Sequence, residues 1–266
     1  MVKMIFGYAC VIYVILISAN SLLIAQNKLN DYLITHDDSL ALEKIIVEKY
    51  YVADSIDNKD TSANALPKNS ITYRIFVDMK PGYKLQMVYG DKKHELFFET
   101  TTKFYNNNDA DAITGFNVDL KKISTGNIAL DSWITLGAAC RGFTGIPREE
   151  DTSRLSLITN RSSLAKSDGL TKAVLPDFQL YNLDLTFFNN DSTAKRFSTI
   201  NGAWAALGGV VGPTPENRVL IAQLTTNGKL TFQINVQIGT PTKGYVKFVA
   251  GKPEDSEIMF DGLNYK

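Results

Sequence analysis

The alternation of apolar and polar residues is clearest in one stretch of the chain, "ITYRIFVDMKPGYKLQMVYG" (71–90). The odd-numbered residues from Ile71 to Met79 are apolar, whereas the even-numbered ones are mostly polar. A period of two is that of a strand with one buried face. Lys80-Pro81-Gly82 then supplies turn residues, because proline presets one turn dihedral angle and glycine tolerates the next. The stretch therefore predicts a β-hairpin, whose second strand returns through Leu85, Met87 and Tyr89.

Further strands are predicted on both sides of this hairpin. The segment "EKIIVEKYYVAD" (43–54) has the composition of a strand, and residues 54–70 have no periodicity and contain a proline near their end, which indicates a loop. A later segment, "KLTFQINVQIGTPTKGYVKFVAG" (229–251), matches the first hairpin, with Leu230–Ile238 in the place of Ile71–Met79.

Other phrases also occur twice. "FYNNND" (104–109) precedes "LDSWITLGAACRGFTG" (130–145), and "FFNND" (187–191) precedes "NGAWAALGGVVG" (201–212). Both tryptophans of the chain, Trp133 and Trp204, stand in Trp-x-x-Leu-Gly. Such self-similarity predicts two related β units, residues 43–165 and 166–266, joined by a crossover near 146–176.

No stretch shows a long helical apolar period, and the many Thr, Asn, Val, Tyr and Phe residues favour strands and turns. The predicted fold is all-β, a β-sandwich of the jelly-roll or immunoglobulin-like kind, formed as one large unit or as two closely packed pseudo-repeated units.

The N-terminus has the three-part build of a secretory signal. Lys3 is followed by the uncharged, mainly apolar residues Met4–Ile17 and then by a more polar, small-residue stretch. We expect residues 1–25 to be a signal peptide and 26–42 to be a flexible leader, so that the protein is secreted or held at the cell surface, with no membrane span after cleavage. The alternative is a retained membrane anchor, because Met4–Ala25 is long enough to span a bilayer.

Charge and cysteine content narrow the functional classes. Twenty-eight basic residues balance twenty-eight acidic ones, so no positive field favours nucleic acid or anionic lipid as a partner. Cys10 lies in the signal segment, and the mature chain keeps Cys140 alone, which permits no internal disulfide and predicts a buried thiol.

The order of several phrases resembles a family of secreted, largely uncharacterised β-rich proteins from Bacteroidota. The phrases are "IIVEKYYVAD", "ITYRIFVDMKPGYKLQMVYG", "HELFFETTTKFYNNND", "LDSWITLGAAC" and "NGAWAALGGVVGPTPENRVLIAQLTTNGKLTFQINVQIGTP". The resemblance covers about residues 43–262 and implies export, with no catalytic residues to transfer. Many members end in a type IX secretion sorting domain, which is not recognisable before the final "DGLNYK". In that phylum the Asp-Ser-Leu, Asp-Ser-Ile and Asp-Ser-Thr triplets at 38–40, 54–56 and 191–193 also resemble O-glycosylation acceptors.

The sequence gives little support to catalysis. Its two histidines are His36, in the leader, and His94, in a link after the first hairpin, and neither belongs to a motif that activates a nucleophile. His94 is either a base or a solvated loop residue. Two histidines and a lone cysteine also disfavour zinc, and the glycine-rich segments lack the Gly-Lys-Ser/Thr of a phosphate-binding loop. Carboxylate pairs for glycoside cleavage remain open, and the acids near aromatic residues are Asp131, Glu95 and Glu99.

Loops dense in Asp and Asn are what calcium requires, because this ion takes six to eight oxygen ligands. A structural calcium ion is therefore the one candidate cofactor, although Asn and Asp also favour plain turns by bonding their own backbone. The candidate ligands are Asp54, Asp57, Asp60, Asp109 and Asp111, with Asn58, Asn107, Asn108 and the Asn189-Asn190-Asp191 segment as additional oxygen donors.

The same loops suggest carbohydrate binding. An exposed indole or phenol ring can stack on a sugar while Asn and Asp bond its hydroxyls; the opposing interpretation places both tryptophans in the core. The candidate ligand-binding residues are Trp133, Trp204, Tyr105, Asn107, Asp109, Asn190 and Asp191. We therefore expect a secreted structural, adhesive or binding module without catalytic activity, whose partner is an extracellular glycan or a cell-surface protein. The alternative is a glycan-binding or glycan-cleaving protein that uses aromatic and acidic loop residues.

Overall fold

The structure is a computed structural model, and it describes residues 34–153, 155–189 and 193–266. The predicted signal peptide (1–25) lies outside the described residues, as does the first part of the leader. The residues from Asp37 to Lys266 form one compact unit.

Strands dominate the described residues, which contain short 3-10 helices but no α-helix. The strands are β1 (Leu42–Val52), β2 (Ile71–Met79), β3 (Lys84–Gly90), β4 (Leu96–Thr100), β5 (Trp133–Ile134), β6 (Ala138–Cys140), β7 (Phe143–Gly145), β8 (Leu170–Lys172), β9 (Phe178–Tyr181), β10 (Arg196–Thr199), β11 (Gly202–Val210), β12 (Arg218–Thr226), β13 (Leu230–Gln233), β14 (Asn235–Gly239), β15 (Tyr245–Val249), β16 (Ile258–Met259) and β17 (Asn264–Tyr265). The 3-10 helices are Asp38–Leu40, Asp57–Lys59, Ile128–Leu130, Arg148–Glu150, Leu185–Phe188 and Asp261–Leu263.

The strands form several sheets that pack together as a β-sandwich, which confirms the predicted fold class. The first sheet has the order β1-β2-β12-β5, the second β16-β15-β14-β3-β11-β9, the third β10-β4-β13-β17 and the fourth β6-β7-β8. Aromatic rings contact each other between the second and third sheets: the ring of Phe98 in the third sheet lies 6.2 Å from that of Trp204 in the second.

The first predicted hairpin has correct strands and a wrong pairing. Strand β2 pairs with β1 and β12 in the first sheet, whereas β3 pairs with β11 and β14 in the second. The turn after Met79 therefore carries the chain between two sheets. Asn217, a buried residue, donates its side-chain amide to the carbonyls of Lys80 and Tyr83, and this tertiary contact holds the turn.

The later predicted hairpin is correct in its second half only. Strands β14 and β15 pair antiparallel, but the expected first strand, Leu230–Ile238, is divided at Ile234. Its first part, β13, belongs to the third sheet, and its second part, β14, belongs to the second sheet.

Strands from the two predicted units share sheets. In the first sheet β2 lies between β1 and β12, and in the second sheet β3 lies between β14 and β11. A division near residue 165 therefore does not separate two folded units. The repeated Trp-x-x-Leu-Gly phrase does give one common feature, a positive φ at Gly137 (89°) and at Gly208 (79°).

The end of the predicted leader belongs to the folded unit. Asp38–Leu40 forms a 3-10 helix, and β1 begins at Leu42. Asp38 is buried and accepts a hydrogen bond of 3.0 Å from the Tyr83 hydroxyl. The expectation that residues up to 42 are loosely held is therefore wrong for this part.

The central strands of the first sheet, β2 and β12, are buried on both faces, so the polar face of β2 is not solvated. Nearly every residue of β2 and β12 is buried. One face packs in a core cluster with Tyr50, Phe76, Trp133 and Leu220, which residues 105–170 cover. Polar side chains on this face are bonded; the Thr225 hydroxyl, for example, donates to that of Thr72 at 2.7 Å.

Candidate functional site

Three loops over the first sheet surround an open depression of about 390 Å³, which we call the three-loop depression. It brings together residues from two of the Asp/Asn-rich segments, which are far apart in the sequence. Its lining includes Asp60, Ser62, Asn64, Asn107, Asp109, Thr125 and Asn127.

Local hydrogen bonds shape these loops. The Oδ1 atom of Asp60 accepts from the backbone N–H of Ser62 at 2.9 Å, and Oδ1 of Asn107 accepts from Asp109 N at 2.9 Å and from Ala110 N at 3.1 Å. Side chains of Asp and Asn favour turns in this way. The hydrogen bonds from Ser62 also lower the pKa of Asp60, so this carboxylate is ionised at neutral pH.

Asn64 joins the loops. Its Nδ2 donates to Oδ2 of Asp109 at 2.7 Å, and its Oδ1 accepts from the backbone N–H of Asn108 at 3.1 Å. Its carbonyl accepts from the Tyr105 hydroxyl at 2.7 Å and from Nδ2 of Asn127 at 2.6 Å. All three loops are therefore fixed relative to one another before any ligand arrives.

Buried groups support the floor of the depression. Asn107 donates its Nδ2 to the Tyr105 hydroxyl oxygen at 2.8 Å, and its backbone N–H donates to Oδ1 of Asp131 at 2.7 Å. Burial raises the pKa of Asp131 well above its usual range, although hydrogen bonds from Asn107 and Ser132 oppose the shift. Burial also raises the pKa of Tyr105, which keeps the phenol neutral.

Arg161 stands beside the depression and binds two of its loops. Its guanidinium donates to Oδ1 of Asp57, to Oδ1 of Asn127 and to the carbonyl of Gly126. The other carboxylate oxygen of Asp57 accepts from the Tyr51 hydroxyl at 2.6 Å. Burial and this hydrogen bond raise the pKa of Tyr51. A smaller depression of about 300 Å³, lined in part by Tyr51, Asp54 and Thr159, lies on another side of Arg161.

The predicted calcium ligands do not converge. The buried carboxylate of Asp57 is paired with Arg161, and Oδ1 of Asp54 accepts from the backbone N–H groups of Ile56 and Asp57. Asp111 is exposed, with a φ of 46°. Of the five predicted aspartate ligands, two line the three-loop depression, Asp60 and Asp109, together with Asn107. Within the described ranges, no group of three His, Cys, Asp or Glu side chains is arranged to hold a metal ion.

Both tryptophans are core residues, as the core interpretation predicted, so neither forms the sugar platform that the alternative interpretation required. Trp133 is 1% exposed and packs in the cluster over the first sheet, and Trp204 is fully buried next to Phe98. Of the predicted aromatic ligand residues, Tyr105 is also buried, and it contributes through its hydroxyl alone.

The two similar phrases at 104–109 and 187–191 contact each other. Asn106 donates its side-chain amide to the carbonyls of Phe187 (3.1 Å) and Asn189 (3.2 Å), and the rings of Phe104 and Phe187 are 5.2 Å apart. Asn190 and Asp191 lie outside the described residues, so the structure does not test their predicted roles.

His94 is buried rather than solvated, which corrects the loop interpretation. Its Nε2 lies 2.7 Å from Oε2 of Glu257, which also accepts from the backbone N–H of Glu254. Its backbone N–H and carbonyl bond Asp91 across the link between β3 and β4. These bonds hold together the loop that contains His94 and the loop that contains Glu257.

The three acids considered for glycoside cleavage have separate structural partners. Glu95 and Glu99 both bind Arg196, at 3.0 Å and 2.6 Å, whereas Asp131 is buried below Asn107. Sequence reasoning missed Asn64, Asn127 and Arg161, because each owes its role to partners distant in the sequence and none stands in a recognisable motif.

The fold places the chain in the structural class of all-β sandwiches, with loops that cover one sheet. The chain matches no protein-family model, and comparison with curated proteins and with solved structures found no match. Over the part of the chain that the structure describes, no helix has the length and apolar character needed to cross a membrane.

Proposed function

We propose that this protein is an exported binding module without catalytic activity, and that the three-loop depression is its carbohydrate-binding site. The observation that carries the proposal is the convergence of Asp60, Asn64, Asp109 and Asn127, from three loops, around one open depression. Export is proposed from the apolar N-terminal segment, 1–25, and such a ligand would suit an adhesive protein at a cell surface.

The chemistry of the depression suits a polyhydroxylated ligand. Carboxylates accept hydrogen bonds and amides both donate and accept them, which matches the donor and acceptor character of sugar hydroxyls. The groups are already held by Tyr105, Asn107 and Arg161, so a ligand would lose little binding energy in ordering them. With both indoles buried, affinity would come from hydrogen bonds and not from ring stacking.

The properties of the two carboxylates in the depression, Asp60 and Asp109, favour binding over cleavage. A glycosidase needs one carboxylic acid with a raised pKa to protonate the leaving oxygen. The pKa of Asp60 is lowered, and Asp109 accepts a hydrogen bond from Asn64. Next to the depression a raised pKa is found at Asp131, which is buried.

A glycan array probed with the wild type and with single variants tests the proposal. Asp60→Ala and Asp109→Ala should each weaken binding about tenfold, since each removes a charged hydrogen-bond acceptor. Asp111→Asn is the matched control, because Asp111 is an exposed neighbour that does not line the depression and asparagine tolerates its positive φ. An array without any bound glycan, or binding that both depression variants retain in full, would contradict the proposal. Repeating the array with a chelator tests whether an ion takes part.

A further inference from the structure

The open edge of the second sheet, formed by strand β9, is a candidate surface for binding another chain. Strand β9 lies at the end of this sheet and pairs on one side with β11, from Phe178 opposite Ala206 to Tyr181 opposite Ala203. On its other side, no strand among the described residues pairs with it. Its free backbone groups are a template for pairing with another chain.

Strand β9 carries no charged residue, unlike the edge strands β1 and β10. Its sequence is Phe178-Gln179-Leu180-Tyr181, and both Leu180 and Tyr181 are exposed. By contrast, the long edge strand β1 carries Glu43, Lys44, Glu48 and Lys49, and β10 begins with Arg196, which is paired with Glu95 and Glu99. Charged side chains on an edge oppose association, and an uncharged exposed edge permits it.

Apolar surface continues next to this edge. In β11 the register with β3 jumps from the pair Ala205–Met87 to the pair Val210–Leu85, so that several residues of β11 bulge out. Leu207, in this bulge, is 82% exposed, and its backbone N–H donates to the carbonyl of Asp177, immediately before β9. Val174, in the segment that leads into β9, is 99% exposed. Large exposed apolar side chains near an open edge are typical of interaction surfaces.

We propose that β9 is the interface of a two-fold symmetric dimer, in which the strands of two copies pair antiparallel into one continuous sheet. The strand is self-complementary, because an uncharged segment can face its own copy without placing like charges opposite each other. The zero formal net charge of the chain adds no long-range repulsion between copies.

A register centred on Leu180 fits this arrangement. Leu180 pairs with Trp204, so its side chain lies on the buried face of the sheet, and two facing Leu180 residues would extend that face across the dimer. This register pairs Gln179–Tyr181 of the two copies, and the chain leaves the strand after Tyr181, where Asn182 has a φ of 49°. Tyr181 faces Gln179 of the other copy on the outer face.

Sedimentation velocity of the protein over a range of concentrations tests the proposal. The wild type should show a reversible dimer, and Leu180→Lys and Tyr181→Lys should each weaken it at least about tenfold by placing charge in the interface. Tyr245→Lys is the matched control, since Tyr245 is 52% exposed, close to the 55% of Tyr181, but lies on β15 between two strands. Thermal unfolding of each variant checks that its fold is kept.

Mixing two charge variants distinguishes a second copy from any other partner. Leu180→Lys and Leu180→Glu should each be monomeric alone and should form a heterodimer when mixed, because opposite charges then face each other. A wild type that stays monomeric at all concentrations, or a dimer that the β9 variants leave unchanged, would overturn the proposal. A mixture of the two variants that stays monomeric would also overturn it.

Discussion

The guanidinium carbon of Arg74 lies 3.5 Å from the centre of the Tyr50 ring, in the buried cluster over the first sheet. Nε of Arg74 donates to Oε1 of Gln223 at 3.0 Å, and Nη1 donates to the carbonyl of Gly169 at 3.1 Å. A charged residue in the middle of a strand is thus bonded to the segment that covers it. The arginine holds this covering segment on the sheet.

Arg74→Ala should lower the free energy of unfolding by about 3 kcal/mol, because it removes a buried hydrogen-bonded cation and leaves the Gln223 and Gly169 oxygens without this donor. Urea denaturation measures the change. Arg141→Ala, at an exposed arginine, should change stability by less than about 0.5 kcal/mol. Similar effects of the two variants would contradict the role given to Arg74.

The pair of Arg161 and Asp57 predicts a non-additive result. Arg161→Met leaves the buried Asp57 carboxylate without its cation and should cost about 3 kcal/mol. The double variant with Asp57→Asn should be less destabilised than the sum of the single variants, since the unpaired charge is gone. A double-mutant cycle by urea denaturation measures this coupling, and strict additivity would show that the two side chains act independently.

Asp131 predicts a pH dependence of stability. Its folded-state pKa is raised, so the folded protein binds this proton more tightly than the unfolded chain. Its contribution to stability is complete below the unfolded pKa, about 3.9, and is lost as pH rises from there through the folded pKa. Asp131→Asn keeps a side-chain oxygen for the Asn107 N–H but cannot ionise. Relative to the wild type, this variant should therefore gain stability between pH 4 and pH 7, measured by thermal unfolding; a relative loss over that interval would contradict the assignment.

The burial of both indoles predicts weak quenching of tryptophan fluorescence by acrylamide in the folded protein. Trp133 and Trp204 are the only tryptophans, so the whole signal reports on them. Unfolding in urea should restore strong quenching. Strong quenching of the folded protein would show that one indole reaches solvent.

Local pattern predicted the strands but not their partners. The alternation in Ile71–Met79 and the composition of 43–54 predicted β2 and β1 almost residue for residue. The Pro81-Gly82 turn indicated a hairpin, but its conformation depends on Asn217, which is distant in the sequence and binds the turn carbonyls. The period-two pattern of β2 indicated one buried and one polar face. It contains no information on the loops that cover the polar face, so the burial of that face was not predicted.

The candidate site was predictable in its residue types and not in its assembly. Dense Asp and Asn marked Asp60, Asn107 and Asp109, which line the same depression. The same composition marked Asp54 and Asp57, whose oxygens serve turns and Arg161. The repeated Trp-x-x-Leu-Gly phrase predicted alike environments, yet Leu136 is buried and Leu207 is exposed, because only the second copy lies in a bulge.

The placement of β2 between β1 and β12, and of β3 between β14 and β11, has a consequence for folding. Strands β2 and β3 need partners from much later in the sequence, so the contact order is high. We therefore expect folding in the millisecond to second range rather than faster. A fragment that ends before β11 would leave β2 without β12 and β3 without both β11 and β14, and such a truncated chain should aggregate instead of forming half of the protein.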